Sequence, residues 1–251
     1  MSAADLAIAG FVPFSALDWP GKLSAVAFLQ GCPWNCGYCQ NPDLLDMKAP
    51  GDIPWGDIVT TLKQRRGLLD GVVFSGGEPT RQRALVDAVL DLQGLGFGAA
   101  LHTSGAYPDR LEALLPHVAW VGLDIKAPQP RYAEVTRRAD SGEKAWASLD
   151  LVIASGVDYE VRVTVDPTIM TLEDVEEIIA EVARRGGRPP VLQETRAEGA
   201  REKYVERLGK LRLTDVVPAE ALPGIERRVE LPSEASPGIR EAVSRREATE
   251  V

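Results

Sequence analysis

Six short, largely apolar runs recur along the chain, at 23–29, 71–75, 99–103, 120–125, 159–165 and 190–194, and each predicts a β-strand. Between them apolar positions return at helical spacing: Leu85, Val86, Val89 and Leu90, then Leu111, Leu114 and Leu115, then Leu149, Val152 and Ile153. The clearest stripe is Val175, Ile178, Ile179 and Val182, opened by Thr171 with Asp174 three residues on, a capping signature. Helices are also predicted over 57–66 and 201–211. Strands alternating with helices imply right-handed βαβ units and a parallel sheet. Six such units predict an α/β partial (βα)6 barrel of parallel strands, too few for the closed eight-stranded form. In that architecture chemistry belongs at the carboxyl ends of the strands.

From about residue 218 the pattern gives way to proline-punctuated polar segments of mixed charge. We therefore expect a barrel domain over 1–217 and a short polar C-terminal extension over 218–251, its last fifteen or so residues flexible or peripheral.

The 251 residues, 45% of them hydrophobic, suffice for one large core in a single domain. A net charge of -9 disfavours binding to nucleic acid on average. The first residues lack a basic segment followed by an apolar one, and no window approaches the eighteen or so apolar residues of a membrane span. A cytoplasmic protein with no membrane partner is expected.

The chemistry concentrates in residues 31–42, Gly-Cys-Pro-Trp-Asn-Cys-Gly-Tyr-Cys-Gln-Asn-Pro, directly after the first predicted strand. Cys32, Cys36 and Cys39 are the chain's three cysteines. An odd number within eight residues suits a metal site in a reducing compartment better than a disulfide framework. Thiolates favour iron-sulfur clusters; a cube normally takes four ligands, so three leave one iron open. Zinc would need a fourth closed ligand, and His102 and His117 are both distant in sequence. Three packed core cysteines fit poorly with a loop rich in Gly, Pro and Asn.

The spacing C-x3-C-x2-C, with an aromatic residue before the third cysteine, resembles the signature of the radical S-adenosylmethionine superfamily. That resemblance implies a 4Fe-4S cluster on Cys32, Cys36 and Cys39, with no catalytic side chain beyond these ligands. The methionine moiety of S-adenosyl-L-methionine would chelate the open iron, and Tyr38 would lie against its adenine. One electron from the cluster would then split the sulfonium into methionine and a 5′-deoxyadenosyl radical, the cofactors doing the hard chemistry.

Residues 72–79, Val-Val-Phe-Ser-Gly-Gly-Glu-Pro, end the second predicted strand. Taken alone this is a turn; beside the cysteine loop it is similar to the family's Gly-Gly-Glu motif, in which Gly76, Gly77 and Glu78 would serve the methionine amino group. His102, Thr103, Ser104 and Gly105 end the third strand, and Leu123-Asp-Ile-Lys126 the fourth. They resemble segments of glycyl-radical activating enzymes, where Thr103, Ser104, Asp124 and Lys126 would contribute to cofactor binding. Asp124 and Lys126, two apart, share a strand face; the plainer alternative is a structural ion pair. His102 stands where these enzymes often carry a carboxylate for a monovalent cation, and Gln40 replaces a common histidine, its contact being through backbone. Arg162 on the fifth strand is a candidate carboxylate fork, or else a surface salt bridge, and Gln193 would line the end of the sixth.

Residues 10–21, Gly-Phe-Val-Pro-Phe-Ser-Ala-Leu-Asp-Trp-Pro-Gly, with 26–32 and 40–45, resemble the activating proteins of anaerobic ribonucleoside-triphosphate reductase. Without that resemblance 18–21 is only a proline-glycine turn. The resemblance implies a large glycyl-radical enzyme as partner and a flavodoxin or ferredoxin as electron donor. With all three thiols committed, no auxiliary cluster is expected. Alternatives are activation of a pyruvate formate-lyase-like enzyme, radical modification of a small molecule or peptide, and a plain iron-sulfur or zinc-binding module.

Overall fold

A computed structural model describes residues 2–229. They build one sheet of eight strands in chain order: β1 (Ile8–Ser15), β2 (Ser24–Leu29), β3 (Gly71–Gly76), β4 (Gly98–Thr103), β5 (Trp120–Asp124), β6 (Asp158–Val165), β7 (Val191–Glu194) and β8 (Arg227–Arg228). β1 runs antiparallel to β2, whereas every later neighbour is parallel. β8 does not pair with β1, so the sheet curls without closing. The helices are α1 (Trp55–Lys63), α2 (Leu85–Gly94), α3 (Pro108–Leu114), α4 (Tyr132–Thr136), α5 (Ser141–Ser155), α6 (Leu172–Arg184), α7 (Glu202–Leu208) and α8 (Leu213–Val216).

The six predicted strands are β2 to β7. The two flanking strands escaped the pattern for opposite reasons. β1 carries Gly10 and Pro13 and two register irregularities, so its alternation is broken. β8 is only two arginines, and its pairing with Leu192 and Gln193 defines it. It lies in the segment expected to be a peripheral extension; the last fifteen residues fall outside the described ones. Among the described residues no helix is long and apolar enough to cross a membrane.

Alternation along the strands separates two cores. Ala27, Leu29, Val72, Phe74, Leu101 and Leu123 face the helical layer and pack with residues such as Leu85, Val89 and Leu149. Val26, Val73, Ala100 and Trp120 face the other way and form a smaller cluster with Trp19. The 18–21 turn therefore does more than reverse the chain. It carries the Trp19 ring against Gly71 and Gly98, where β3 and β4 begin, and floors the bowl at its amino-terminal end. The carboxyl ends stay open. The predicted cap on α6 is present, with Thr171 Oγ1 accepting from Asp174 N–H at 3.3 Å and Asp174 accepting from Thr171 N–H at 2.8 Å.

Candidate active site

The cysteine loop leaves β2 at the open end of the bowl and is fixed mainly through its backbone. Gly31 N–H donates to Leu44 O at 2.8 Å, and Asn35 N–H to Thr136 O at 2.9 Å. Two guanidinium groups reach it from afar. Arg138 donates to Pro33 O at 3.0 Å, and Arg201, 165 residues from Cys36, donates to Cys36 O at 3.2 Å and to Asn35 Oδ1 at 2.5 Å. No local pattern announced either arginine, because their role is set by where α4 and α7 begin and end in space.

All three cysteines are free; Cys36 is buried, Cys32 and Cys39 partly so. Burial, reinforced by the Glu78 carboxylate, pushes the Cys32 thiol up to about 12. Burial pushes Cys36 up to about 11 against the opposing pull of Lys126. Without metal the Cys32 and Cys36 thiols hold their protons, so loading iron must displace them. Cys36 feels the charge of Cys39, and Cys32 that of Cys36, so the three form one electrostatic group. Among the described residues no three His, Cys, Asp or Glu side chains gather tightly enough for a single ion. Ligands at separate corners of a multi-iron cube stand farther apart than those around one tetrahedral ion.

The Gly-Gly turn after β3 is spliced onto this loop. A Cβ on Gly77 would lie 2.5 Å from Gly31 O, so only glycine allows the approach. Glu78 N–H donates to Gly31 O at 2.9 Å. The Glu78 carboxylate is completely buried and saturated. One oxygen accepts from Thr80 N–H at 3.0 Å, Thr80 Oγ1 at 2.5 Å and Thr103 Oγ1 at 2.7 Å; the other accepts from Ser104 N–H at 2.9 Å and Ser104 Oγ at 2.5 Å. Within the chain itself the Glu78 carboxylate is thus already engaged. Five donors occupy it, and the hydroxyls of Thr103 and Ser104 are spent on it. Glu78 ties the end of β3 to that of β4 and holds the backbone of Gly76 and Gly77 beside the cysteines.

Asp124 and Lys126 do share a face, with Nζ 3.2 Å from the carboxylate; the lysine side chain is 9% exposed and the aspartate 32%. Burial alone would raise the aspartate, but Lys126 and Arg162 outweigh it and hold the carboxyl below its usual range. Burial likewise opposes the ammonium, yet Asp124 holds Lys126 well above the ordinary lysine value. Both stay charged. The ammonium stands 5.6 Å from the centre of the Tyr38 ring, and Tyr38 meets Tyr204 edge-on at 6.4 Å. The Tyr38 hydroxyl is buried without a partner. A buried ammonium, an open carboxylate edge, an unsatisfied phenol and three thiols form one donor set that suits a zwitterionic, hydroxyl-bearing ligand chelating a cluster. The Gln40 carbonyl packs against Gly199, where a Cβ would stand 2.4 Å from its oxygen.

Arg162 is not a surface salt bridge. It crosses the concave face of β5 where a side chain on Gly122 would sit, stacks 5.1 Å over Trp120, and donates to Glu160 at 3.0 Å. Its Nη2 is 2.9 Å from His102 Nε2, itself 2.7 Å from Asp18 O. Gln193 pairs opposite Thr164, on the face that Arg162 shares.

His102 is neutral: burial, then the neighbouring Arg162 charge, lowers it from 6.5 to about 3. One nitrogen stands between an acceptor and a donor, so the tautomer satisfies one of them. A folded-state value below the unfolded one gives stability that is complete above pH 6.5 and is lost as pH falls toward 3. Acid unfolding of wild type should steepen below pH 6.5 by up to roughly 1.4 kcal/mol per pH unit, and His102→Gln should flatten that slope. Chemical denaturation at pH 7, 6 and 5 measures it; equal slopes for the two proteins would refute the buried neutral imidazole.

An open parallel bowl with three thiols at its mouth, and charged side chains from successive strand ends around them, defines an α/β iron-sulfur enzyme scaffold. Residues 26–184 match the radical SAM superfamily, and the chain belongs to it. Its cofactors are a 4Fe-4S cluster and S-adenosylmethionine. The chain is 33% identical over 187 residues to a Methanocaldococcus jannaschii protein named as a glycyl-radical enzyme activating enzyme, covering 70% of this chain and 75% of that one. It is 31% identical over 173 residues to the pyruvate formate-lyase-activating enzyme of Clostridium pasteurianum, covering 66% and 70%. Among solved structures it resembles SuiB of Streptococcus suis, with a TM-score of 0.54 at 14% identity over 80% of this chain and 47% of that one. It also resembles anSMEcpe with bound AdoMet, with a TM-score of 0.53 at 17% identity over 65% and 48%. The chain spans less than half of either structure, and these likenesses show the fold alone.

Proposed function

We propose that this protein is a cytoplasmic activase that installs a glycyl radical on a large partner enzyme, anaerobic ribonucleoside-triphosphate reductase being the first choice. The observation that carries the activase reading is the alignment, over 70% of the chain, with a relative named for that activity. The reductase is favoured by residues 10–21 and 40–45; the Clostridium pasteurianum relative favours a pyruvate formate-lyase-like partner as the second reading.

When bound, the reduced cluster supplies the electron that splits S-adenosylmethionine into methionine and the radical that abstracts hydrogen from glycine. The chain's own residues prepare that event. Cys32, Cys36 and Cys39 hold the cluster. Gly76 and Gly77 bring backbone groups to the methionine end, with Glu78 fixing the turn. Lys126 offers a permanent cation to a carboxylate, Asp124 accepts from ribose hydroxyls, and Tyr38 covers adenine. Arg162 and Gln193 line the concave face beyond, where a glycine-bearing segment would enter. An electron donor such as flavodoxin or ferredoxin completes the system.

Anaerobic reconstitution, dithionite and S-adenosylmethionine should give 5′-deoxyadenosine, and added reductase should show a glycyl radical by electron paramagnetic resonance. If the radical appears only on a pyruvate formate-lyase-like enzyme, the second reading replaces the first. Absence of 5′-deoxyadenosine from loaded wild type would overturn both.

A further inference from the structure

A second feature of the mouth is not used by cofactor binding. Beside the cysteine loop, a cleft of about 400 Å³ is lined by Asp5, Arg81, Gln82, Arg83, Ala84 and Arg110. The lining thus carries three arginines and one carboxylate in a chain whose net charge is -9. That carboxylate already accepts from Ser2 N–H at 2.8 Å. Arg81 donates to Met47 O, and its guanidinium lies against Gly31, the residue before Cys32. Arg110 donates to Arg81 O and stacks 4.6 Å over the half-buried Tyr107 ring. Tyr107 in turn lies within electrostatic range of Arg81, Arg110, Glu78 and Cys32. Arg83 is exposed and makes no hydrogen bond or ion pair among the described residues. A free cation on the rim, with two more fixed behind it by backbone carbonyls, is a ready-made surface for carboxylates.

We propose that the cleft of Arg81, Arg83 and Arg110 is the docking surface for an acidic one-electron carrier protein. The inference rests on the radical S-adenosylmethionine reading, which requires the cluster to be reduced. Charge complementarity selects an acidic partner, and the packing of Arg81 on Gly31 puts that partner next to a cluster ligand. In the docked complex the carrier is oxidised by one electron and the cluster is reduced by one. Such a contact is steered by charge and therefore weakened by salt.

The test uses loaded, full-length protein and a reduced ferredoxin of net negative charge. Its dissociation constant is measured by calorimetry, and 5′-deoxyadenosine formation is driven in parallel by ferredoxin and by dithionite. Arg83→Glu should weaken ferredoxin binding roughly tenfold and slow ferredoxin-driven turnover comparably. Arg83→Gln should give a smaller effect in the same direction, and wild-type affinity should fall with salt. Dithionite-driven turnover should not change in either variant, which keeps a failure of docking distinct from a failure of the enzyme assignment. Unchanged ferredoxin affinity in Arg83→Glu, or an equal loss with dithionite, would overturn the proposal. So would normal ferredoxin binding with loss only of the glycyl radical on the partner enzyme, since the cleft would then belong to that partner.

Discussion

Replacement of Cys36 by serine is expected to abolish 5′-deoxyadenosine formation while leaving the fold intact. Cys36 is the most enclosed of the three thiols, so no water can readily take its place as a ligand. A hydroxyl is a poor ligand for iron-sulfur clusters beside a thiolate, and two remaining cysteines would not hold a cube against loss. The substitution is nearly isosteric, and the backbone of residue 36 keeps its bonds to Arg201 and Cys39. Burying a small hydroxyl should cost about 1–3 kcal/mol. Circular dichroism should therefore overlay wild type, the melting temperature should fall by only several degrees, and iron content and turnover should both collapse. Retention of wild-type turnover by Cys36→Ser would remove the thiols from the mechanism.

Several parts of this arrangement were legible in the chain itself. The six central strands carry short, largely apolar runs, and βαβ chirality then dictates how they must neighbour one another. Because the motifs follow those runs directly, their convergence at one end of the bowl was fixed once the strands were. What the sequence could not reveal is which groups each side chain spends its hydrogen bonds on. Glu78 reads as a charge available to a ligand, yet its five donors come from Thr80, Thr103 and Ser104. Arg162 reads equally well as a surface cation, and only the missing side chain at Gly122 lets it lie across the sheet. Trp19 sits in what looks like a simple turn, and its role as the floor depends on Gly71 and Gly98, whose missing side chains admit the ring. Arg138 and Arg201 belong to no motif, because a backbone carbonyl can be capped by any arginine that the fold delivers.

Glu78→Gln distinguishes the two roles that this residue could play. Glutamine keeps the volume but turns one acceptor oxygen into an NH2 donor. Hydroxyls of Thr80, Thr103 and Ser104 can rotate, whereas the N–H groups of Thr80 and Ser104 cannot, and whichever faces the new NH2 loses its acceptor. An unsatisfied buried donor costs about 1–3 kcal/mol, and somewhat more when a charged acceptor is lost. For a domain of this size that is a fall of roughly 4–10 °C in melting temperature. The ends of β3 and β4 would loosen with it, Gly77 would lose its seat on Gly31, and turnover should drop by at least about tenfold, since small displacements of positioned groups are expensive. If Glu78 instead met the cofactor by charge, the same variant would melt like wild type and lose only affinity for S-adenosylmethionine. Differential scanning calorimetry of the protein without cofactor, set beside the S-adenosylmethionine dissociation constant of the loaded protein, separates the two. A large thermal shift marks Glu78 as a positioning residue, because a group whose lone pairs are all taken by its own chain has nothing left to offer a ligand.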